Sequence, residues 1–128
     1  MKPEDLLYAK THEWVAVANE EGMRVATLGL SAFAIEALTD LVYIDLPKVG
    51  TQVKAEQAFC EVESVKAVSD IYSPVDGEVI ALNQALPDAL ETLGNDAYGA
   101  GWIAKIKILD DAGLSKLLDY ATYEKQCR

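Results

Sequence analysis

Residues 61–70 read EVESVKAVSD, and one lysine, Lys66, lies there between two runs rich in β-branched side chains. If the chain reverses direction here, Lys66 projects from a hairpin tip beside Val65 and Ala67, and neither neighbour is bulky enough to shield its amine. An isolated amine on a rigid hairpin suits a modifying enzyme, because the amine can enter a foreign active site while the scaffold fixes its approach. The alternative is an ordinary exposed lysine on a solvated face.

The charge around this lysine is almost entirely negative. Lys66 is the only basic residue between Lys54 and Lys105, and nine acids occupy the same span: Glu56, Glu61, Glu63, Asp70, Asp76, Glu78, Asp88, Glu91 and Asp96. The whole chain carries a formal net charge of −10. Such a surface repels nucleic acid phosphates and anionic membranes, so neither is expected as a partner. It suits high solubility, or docking onto basic patches of other proteins.

No other group of residues indicates catalysis or metal binding. Cys60 and Cys127 form neither a disulfide framework nor a CxxC site, and Cys60 lies in an apolar run typical of a buried small hydrophobe. The single histidine, His12, argues against a zinc site. No nucleophile–base pair stands out, and nothing singles out a pair among the 21 acids. We therefore expect neither a catalytic residue nor a metal.

The N-terminal ten residues, MKPEDLLYAK, have the features of neither a secretory signal nor a transit peptide. No apolar run approaches the length that spans a bilayer. A cytoplasmic location is the expectation, or the mitochondrial matrix if a transit peptide has been removed.

The pattern of apolar residues predicts a mainly β fold. A hairpin is predicted from EWVAVA and MRVATL, with Gly22 in the turn, and Ser31 is predicted to cap a short helix whose apolar face includes Phe33 and Leu38. Further strands are predicted for LVYIDL, AFCEVES, AVSDIYSP, GEVIALN and WIAKIKIL. In the last of these, Trp102 should share a face with Ala104, Ile106 and Ile108.

Two other segments complete the predicted layout. Residues 84–101 are predicted to form a long loop that can include one turn of helix at 88–92. The tail from Asp110 reads as one helix with an apolar stripe of Leu114, Leu117 and Leu118. Residues 49–53 (VGTQV) resemble residues 75–79 (VDGEV), which suggests two similar halves that meet at Lys66. Six or seven short strands with small helices near both ends favour a β-sandwich or barrel-like core.

The segment EVESVKAVSDIYSPVDGEV resembles the lipoylation segment of the glycine cleavage system H-protein family. THEW, ALTDLVYIDLP and YGAGWIAKI resemble other blocks of that family in the same order, so that the resemblance covers roughly residues 8–125. It implies a barrel-sandwich hybrid with short helices near the N-terminal third and at the C-terminus, in a single lipoyl-carrier domain over residues 1–128. Biotin carriers differ because methionines flank their lysine, and lipoyl domains of 2-oxoacid dehydrogenases lack the THEW block.

The resemblance implies that Lys66 carries lipoate through an amide bond. The implied partners are a pyridoxal-phosphate glycine decarboxylase, a tetrahydrofolate-dependent aminomethyltransferase, a dihydrolipoyl dehydrogenase, and the lipoate ligase or lipoyl transferase that attaches the group. The chain itself would be a non-catalytic, monomeric carrier of the aminomethyl group and of electrons. The alternative is a lipoate carrier or donor for another pathway, such as sulfur oxidation or a relay to 2-oxoacid dehydrogenases.

The family also suggests that the loaded arm folds back into a cleft that holds its amine and slows the loss of ammonia. By resemblance, Thr11, Glu13 and Asp70 belong to that cleft, whereas His12 is expected to be structural. Alternatively, Thr11 makes a local turn contact, Glu13 is a solvated strand residue and Asp70 is an acid in a turn. The sequence departs from the family in the 84–101 loop, where Ala97 stands at a position at which proline is common.

Overall fold

Two antiparallel β-sheets form the body of the chain in this computed structural model, which describes residues 2–127. Met1 and Arg128, the ends of the predicted domain, lie outside the described residues. The strands are β1 Leu7–Tyr8, β2 Glu13–Glu20, β3 Met23–Leu30, β4 Leu41–Asp45, β5 Gln52–Val53, β6 Ala58–Ser64, β7 Val68–Tyr72, β8 Asp76–Leu82 and β9 Ala104–Asp110. The larger sheet has the order β1-β2-β3-β9-β8-β5, and the smaller sheet has the order β4-β6-β7.

The helices are short and lie outside the sheets. The α-helices are α1 Ala32–Leu38, α2 Glu91–Asn95 and α3 Tyr120–Gln126, and 3₁₀ helices span Pro3–Asp5, Leu86–Asp88 and Ala112–Lys116. Both sheets contribute to one apolar core, which includes Leu28 and Ile106 from the larger sheet and Val62 and Ile71 from the smaller one. This arrangement confirms the predicted mainly β, sandwich-like fold with helices in the N-terminal third and at the C-terminus.

The predicted N-terminal hairpin forms as expected. Glu20 pairs with Met23, which leaves a two-residue loop of Glu21 and Gly22 with φ angles of 51° and 80°. Positive φ at both loop positions is the conformation that matches the twist of the flanking strands. Ser31 caps α1, as predicted, by accepting a hydrogen bond from the amide of Ala34 at 3.2 Å.

The two similar segments around Lys66 pair with each other. The Gly50 amide donates to the Val79 carbonyl at 2.7 Å, and the Val79 amide donates to the Thr51 carbonyl at 2.9 Å. From there β5 and β8 run antiparallel, with Gln52 opposite Glu78. The pairing holds together the two chain segments that lead into β6 and out of β7, and it therefore fixes the base of the hairpin that carries Lys66.

The prediction of one continuous helix in the C-terminal tail was wrong. The 3₁₀ helix ends at Lys116, the chain then extends, and α3 begins only after Asp119. The extended part is held because Leu118 and Tyr8 exchange backbone hydrogen bonds of 2.7 and 2.8 Å. Leu114, Leu117 and Leu118 still pack against apolar clusters, so their burial was predicted correctly and their helical register was not.

Two aromatic side chains also differ from the prediction. Phe33 was placed on the buried face of α1, but it is 42% exposed, and Ile35 is the buried residue of this helix. The Phe33 ring instead lies beside that of His12, with centroids 5.2 Å apart. Trp102 precedes β9 rather than belonging to it, because its amide donates to the carbonyl of Gly99 in the turn that ends the loop.

We predict that Gly29→Ala destabilises the fold by about 2 kcal/mol, a typical cost of overpacking a core. An added Cβ would overlap the indole of Trp14, lying 2.7 Å from Cζ2, and Trp14 is fully buried. The indole cannot move without weakening its 2.8 Å hydrogen bond to the Ala97 carbonyl. Urea denaturation measures the change.

Gly94→Ala is the matched control, because the added Cβ would meet only the Ile35 side chain, at an ordinary 3.8 Å. Gly94 lies within α2, where alanine favours the helix by up to about 1 kcal/mol. Equal unfolding free energies for the two variants would show that the Gly29–Trp14 packing is not close.

Candidate functional site

Lys66 lies at the tip of the β6–β7 hairpin, where its side chain is exposed. β6 ends at Ser64 and β7 begins at Val68, with Glu63 opposite Val68. Val65 and Val68 are 71% and 59% exposed, so no large side chain covers the lysine. The structure thus places Lys66 where the sequence predicted it.

Ser64 closes the turn around this lysine. Its Oγ accepts hydrogen bonds from the amides of Lys66 at 3.3 Å and Ala67 at 3.1 Å, and its amide donates to the Ala67 carbonyl at 2.8 Å. The Val65 amide donates to the carbonyl of Asp40 at 3.0 Å, which joins the tip to the segment after α1. Ser64 itself is buried. The backbone that carries Lys66 is therefore fixed, while its side chain is left in solvent.

A cleft of about 610 Å³ lies beyond the other end of β7. Its walls come from four segments: residues 9–13, 55–56, 72–74 and 113–118. Gly113 packs closely against the Pro74 backbone, where a Cβ would lie 3.2 Å from the carbonyl carbon and still nearer to its oxygen. The C-terminal segment can close this side of the cleft because residue 113 has no side chain.

Glu13 is the buried acid of the cleft, with 0% exposure. One carboxylate oxygen accepts a hydrogen bond from the Thr11 hydroxyl, and the other accepts one from the Tyr72 amide at 3.1 Å. The Ala9 amide donates to the Glu13 carbonyl at 2.9 Å. These bonds fix a carboxylate in the wall of the cleft, and Glu13 takes part in none of the ion pairs found among residues 2–127.

Burial raises the pKa of Glu13 to about 7, although the hydrogen bonds from Thr11 and Tyr72 favour the ionised form and oppose the shift. Desolvation prevails because the carboxylate has lost most of its water. A cation that entered the cleft would stabilise the ionised form. The geometry and the charge therefore suit a protonated amine.

The structure brings together two of the three residues predicted for the cleft. Thr11 and Glu13 both line it and are hydrogen-bonded to each other. Asp70 lies outside its walls: it is exposed on β7, two residues before the cleft residue Tyr72 and opposite Glu61 on β6. Because side chains alternate along a strand, Val68, Asp70 and Tyr72 lie on one face of β7, between the tip and the cleft.

His12 holds the cleft segment against the C-terminal helix. Its Nδ1 lies 2.6 Å from the Tyr123 hydroxyl, which lies 2.6 Å from Ser31 Oγ. Burial lowers the pKa of His12, so its neutral form is favoured and Nδ1 can accept a hydrogen bond from the Tyr123 hydroxyl. The expectation that His12 is structural agrees with these contacts.

The sequence did not point to several residues at the site. Ser64 precedes Lys66 by two positions, and a hydroxyl at the start of a turn was the signal for its role. At the rim of the cleft, Lys116 Nζ lies 3.5 Å from Glu56 Oε1 in an exposed ion pair. No spacing rule links residues 60 positions apart, so only the fold reveals this pair.

Ala97, where the sequence departs from the family, is buried, and its carbonyl accepts the Trp14 indole proton. The departure is therefore compatible with a loop that is fixed to the larger sheet. Both cysteines are free, as expected. Among residues 2–127, no helix is long and apolar enough to cross a membrane.

We predict that the carboxylate of Glu13 lowers stability as the pH rises. Its pKa is about 7 in the folded protein against 4.5 for an unperturbed glutamate, so the folded state binds the proton more tightly. The stability from the protonated form is complete below pH 4.5 and is lost as the pH rises to about 7. Relative to Glu13→Gln, the free energy of unfolding of the wild-type protein should fall by up to about 3 kcal/mol over this pH range.

Urea denaturation of both proteins at pH 4.5, 6 and 8 measures this difference. Glu21→Gln, at an exposed turn position, serves as the control and should follow the unmodified protein throughout. Parallel stability curves for the unmodified protein and Glu13→Gln would contradict the prediction.

Comparison with known proteins agrees with this geometry. A model of the family described as "Glycine cleavage H-protein" matches residues 6–128. A glycine cleavage system H protein of Rhodopirellula baltica is 54% identical over 125 residues, which cover 98% of this chain and 94% of the relative. That of Idiomarina loihiensis is 50% identical over 122 residues, covering 95% and 92%.

A solved structure leads to the same family. The crystal structure of a glycine cleavage system H protein from Mycobacterium marinum superposes with a TM-score of 0.87 at 35% identity, covering 98% of both chains. A family match over nearly the whole chain, close relatives and a shared fold all coincide with an exposed lysine at a fixed hairpin tip. The chain belongs to the glycine cleavage H-protein family.

Proposed function

We propose that Lys66 carries lipoate through an amide bond and that the chain serves as the lipoyl carrier of the glycine cleavage system. In this role it is one carrier domain over residues 1–128, without catalysis of its own, working as a monomer in the cytoplasm. The observation that carries the proposal is the exposed amine of Lys66 on a backbone fixed by Ser64. Family membership supports the lipoyl group over other acyl groups.

Attachment of the arm requires one bond to form and one to break. A ligase or transferase presents lipoate as an activated acyl group, and the neutral amine of Lys66 attacks its carbonyl carbon. An amide forms, the activating group leaves with the bonding electrons, and the amine nitrogen loses a proton. The exposed tip suits this step, because the lysine can enter another protein's active site without local unfolding.

The arm can point toward the cleft along β7. The six residues from Lys66 to Tyr72 span roughly 20 Å of strand. An arm that lies along the face of Val68, Asp70 and Tyr72 therefore directs its sulfur end toward the cleft end of the strand. An aminomethyl group on a sulfur would place its amine toward Glu13 and Thr11.

The cleft would protect this amine. Glu13 and Thr11 offer oxygen atoms to it, and partial exclusion of water slows its hydrolysis to ammonia and formaldehyde. Asp70 lies on the route rather than in the cleft, so its proposed part is to attract the cationic amine along β7. Lipoate is the only cofactor that the proposal requires.

The proposed partners are three enzymes that the tethered arm visits in turn. A pyridoxal-phosphate glycine decarboxylase loads the aminomethyl group, a tetrahydrofolate-dependent aminomethyltransferase removes it, and a dihydrolipoyl dehydrogenase reoxidises the dithiol. Once a partner has docked, tethering replaces free diffusion by an effective concentration on the order of mM.

We predict that Lys66→Arg abolishes lipoylation. Arginine keeps the charge but cannot supply the neutral amine that attacks the acyl carbon. After reaction with lipoate, ATP and a lipoate ligase, the intact mass of the wild-type chain should increase by one lipoyl group. The same increase is expected for Lys54→Arg, because Lys54 is also an exposed lysine. A lipoyl group gained by Lys66→Arg would sink the proposed attachment site.

We also predict that Glu13→Gln releases ammonia faster from the loaded arm, by on the order of tenfold. The reason is that a hydrogen bond to a charged group contributes about 1.5–3 kcal/mol, whereas the amide is neutral. Ammonia release from the loaded protein measures the rate. The control is Glu124→Gln, on the exposed side of α3, which in its loaded form should release ammonia at the rate of the loaded wild-type protein. Equal rates for all three proteins would remove Glu13 from the protective role.

A further inference from the structure

A second recess lies beside the tip of the β6–β7 hairpin, next to the turn that carries Lys66. It has a volume of about 320 Å³ and lies between the end of α1, the start of β4 and the segment around α2. Ile35, Leu41 and Leu90 provide its apolar wall. The hydrogen bond from the Val65 amide to the Asp40 carbonyl joins this recess directly to the turn that carries Lys66.

Two acids, Asp40 and Glu91, line the recess. Both are exposed, and neither takes part in any of the three ion pairs found among residues 2–127. In the sequence around Glu91 there is no basic residue between Lys66 and Lys105. The recess therefore combines negative charge with an apolar wall, a combination that suits the long side chain of an arginine or lysine.

The surface next to the recess is apolar to an unusual degree. Four of the seven large hydrophobic side chains that are exposed in the described part of the chain are near the tip: Val42, Tyr43, Val65 and Val68. Val42 follows the recess residue Leu41, and Tyr43 lies in register with Val68 across Glu63. An apolar patch beside a charged recess has the composition of a protein interface with one anchoring side chain.

Thr39, which also lines the recess, has an unusual backbone conformation, with φ 64° and ψ −125°. A residue with a β-branched side chain rarely adopts a positive φ. Such strain tends to occur at binding surfaces, where the conformation presents a particular shape.

We propose that this recess receives a basic side chain of the enzyme that acylates Lys66, and that Asp40 and Glu91 are its specificity-determining residues. The inference rests on the lipoylation of Lys66 proposed above. The acylating enzyme is the partner favoured, because it must bring its active site to the lysine amine itself before any arm exists. It therefore contacts surfaces next to the turn, whereas the other partners meet the end of a long arm.

The test is steady-state lipoylation of the full chain by a purified lipoate–protein ligase with ATP and lipoate. Asp40→Asn and Glu91→Gln should each raise the KM for the carrier, and together they should raise it about tenfold, while kcat stays within about twofold. The reason is that docking is weakened and the chemistry at Lys66 is not. Added salt should raise the KM of the unmodified protein more than that of the double variant, since it screens the same attraction.

Asp88→Asn is the matched control. Asp88 is exposed, lies three residues before Glu91 in the same loop and does not line the recess, so this variant removes one charge without altering the site. Its KM should equal that of the unmodified protein. Thermal unfolding of each variant, expected to be unchanged because these side chains are exposed, excludes misfolding as the cause of a KM change.

The outcomes separate the two proposals. Lipoylation at Lys66 with equal KM values for all variants would overturn the role of the recess and leave the carrier function intact. An equal rise in KM for Asp88→Asn and Glu91→Gln would also overturn it, because general charge would then be the determinant. No lipoylation of the unmodified chain at Lys66 would overturn the carrier function and this inference with it.

Discussion

The hydrogen bonds of Ser64 are the interaction on which the site depends. A flexible tip would present the lysine in many orientations, and a modifying enzyme would have to order it at a cost of about 1–2 kcal/mol per backbone residue. Ser64 Oγ accepts from two successive amides of the turn, and the Ser64 amide binds the Ala67 carbonyl. Because Ser64 is buried, water competes little for these bonds. The order is therefore present before any partner arrives.

Glu13, unlike Ser64, lowers the stability of the fold. A buried carboxylate without a cation costs stability, and burial prevails over its hydrogen bonds in setting the pKa near 7. A glutamine could accept from the Tyr72 amide and donate its NH2 to the Thr11 hydroxyl without the charge, so folding alone does not explain the acid. The proposed role, in which this site attracts a cationic amine and later releases it, would explain the acid. The contact network of His12, Tyr123 and Ser31 holds this segment in place despite the cost.

Local patterns predicted what depends on neighbouring residues, and long-range contacts decided the rest. The β2–β3 hairpin, the Ser31 cap and the exposed tip at Lys66 followed from turn residues and β-branched runs. The break in the tail did not, because Leu118 pairs with Tyr8 across 110 positions of sequence. Thr11 and Glu13 came from family resemblance, and only the structure revealed that Tyr72 and Lys116 share their cleft. The recess beside the tip was likewise invisible in sequence, because α2 is distant along the chain from α1 and β4.

The outer face of the smaller sheet links the tip to the cleft electrostatically. Asp45, Glu61 and Asp70 lie in register across β4, β6 and β7, so that like charges stand directly opposite one another. Such pairs destabilise a sheet. Adjacent strands are about 5 Å apart, inside the screening length of roughly 8 Å at physiological salt, so Glu61 repels both Asp45 and Asp70. Under the proposed function, a cationic amine on the loaded arm would be attracted along this face toward Glu13. The proposed attraction of the loaded arm would account for this unfavourable register, because a lysine among the three acids would favour the sheet and weaken that attraction.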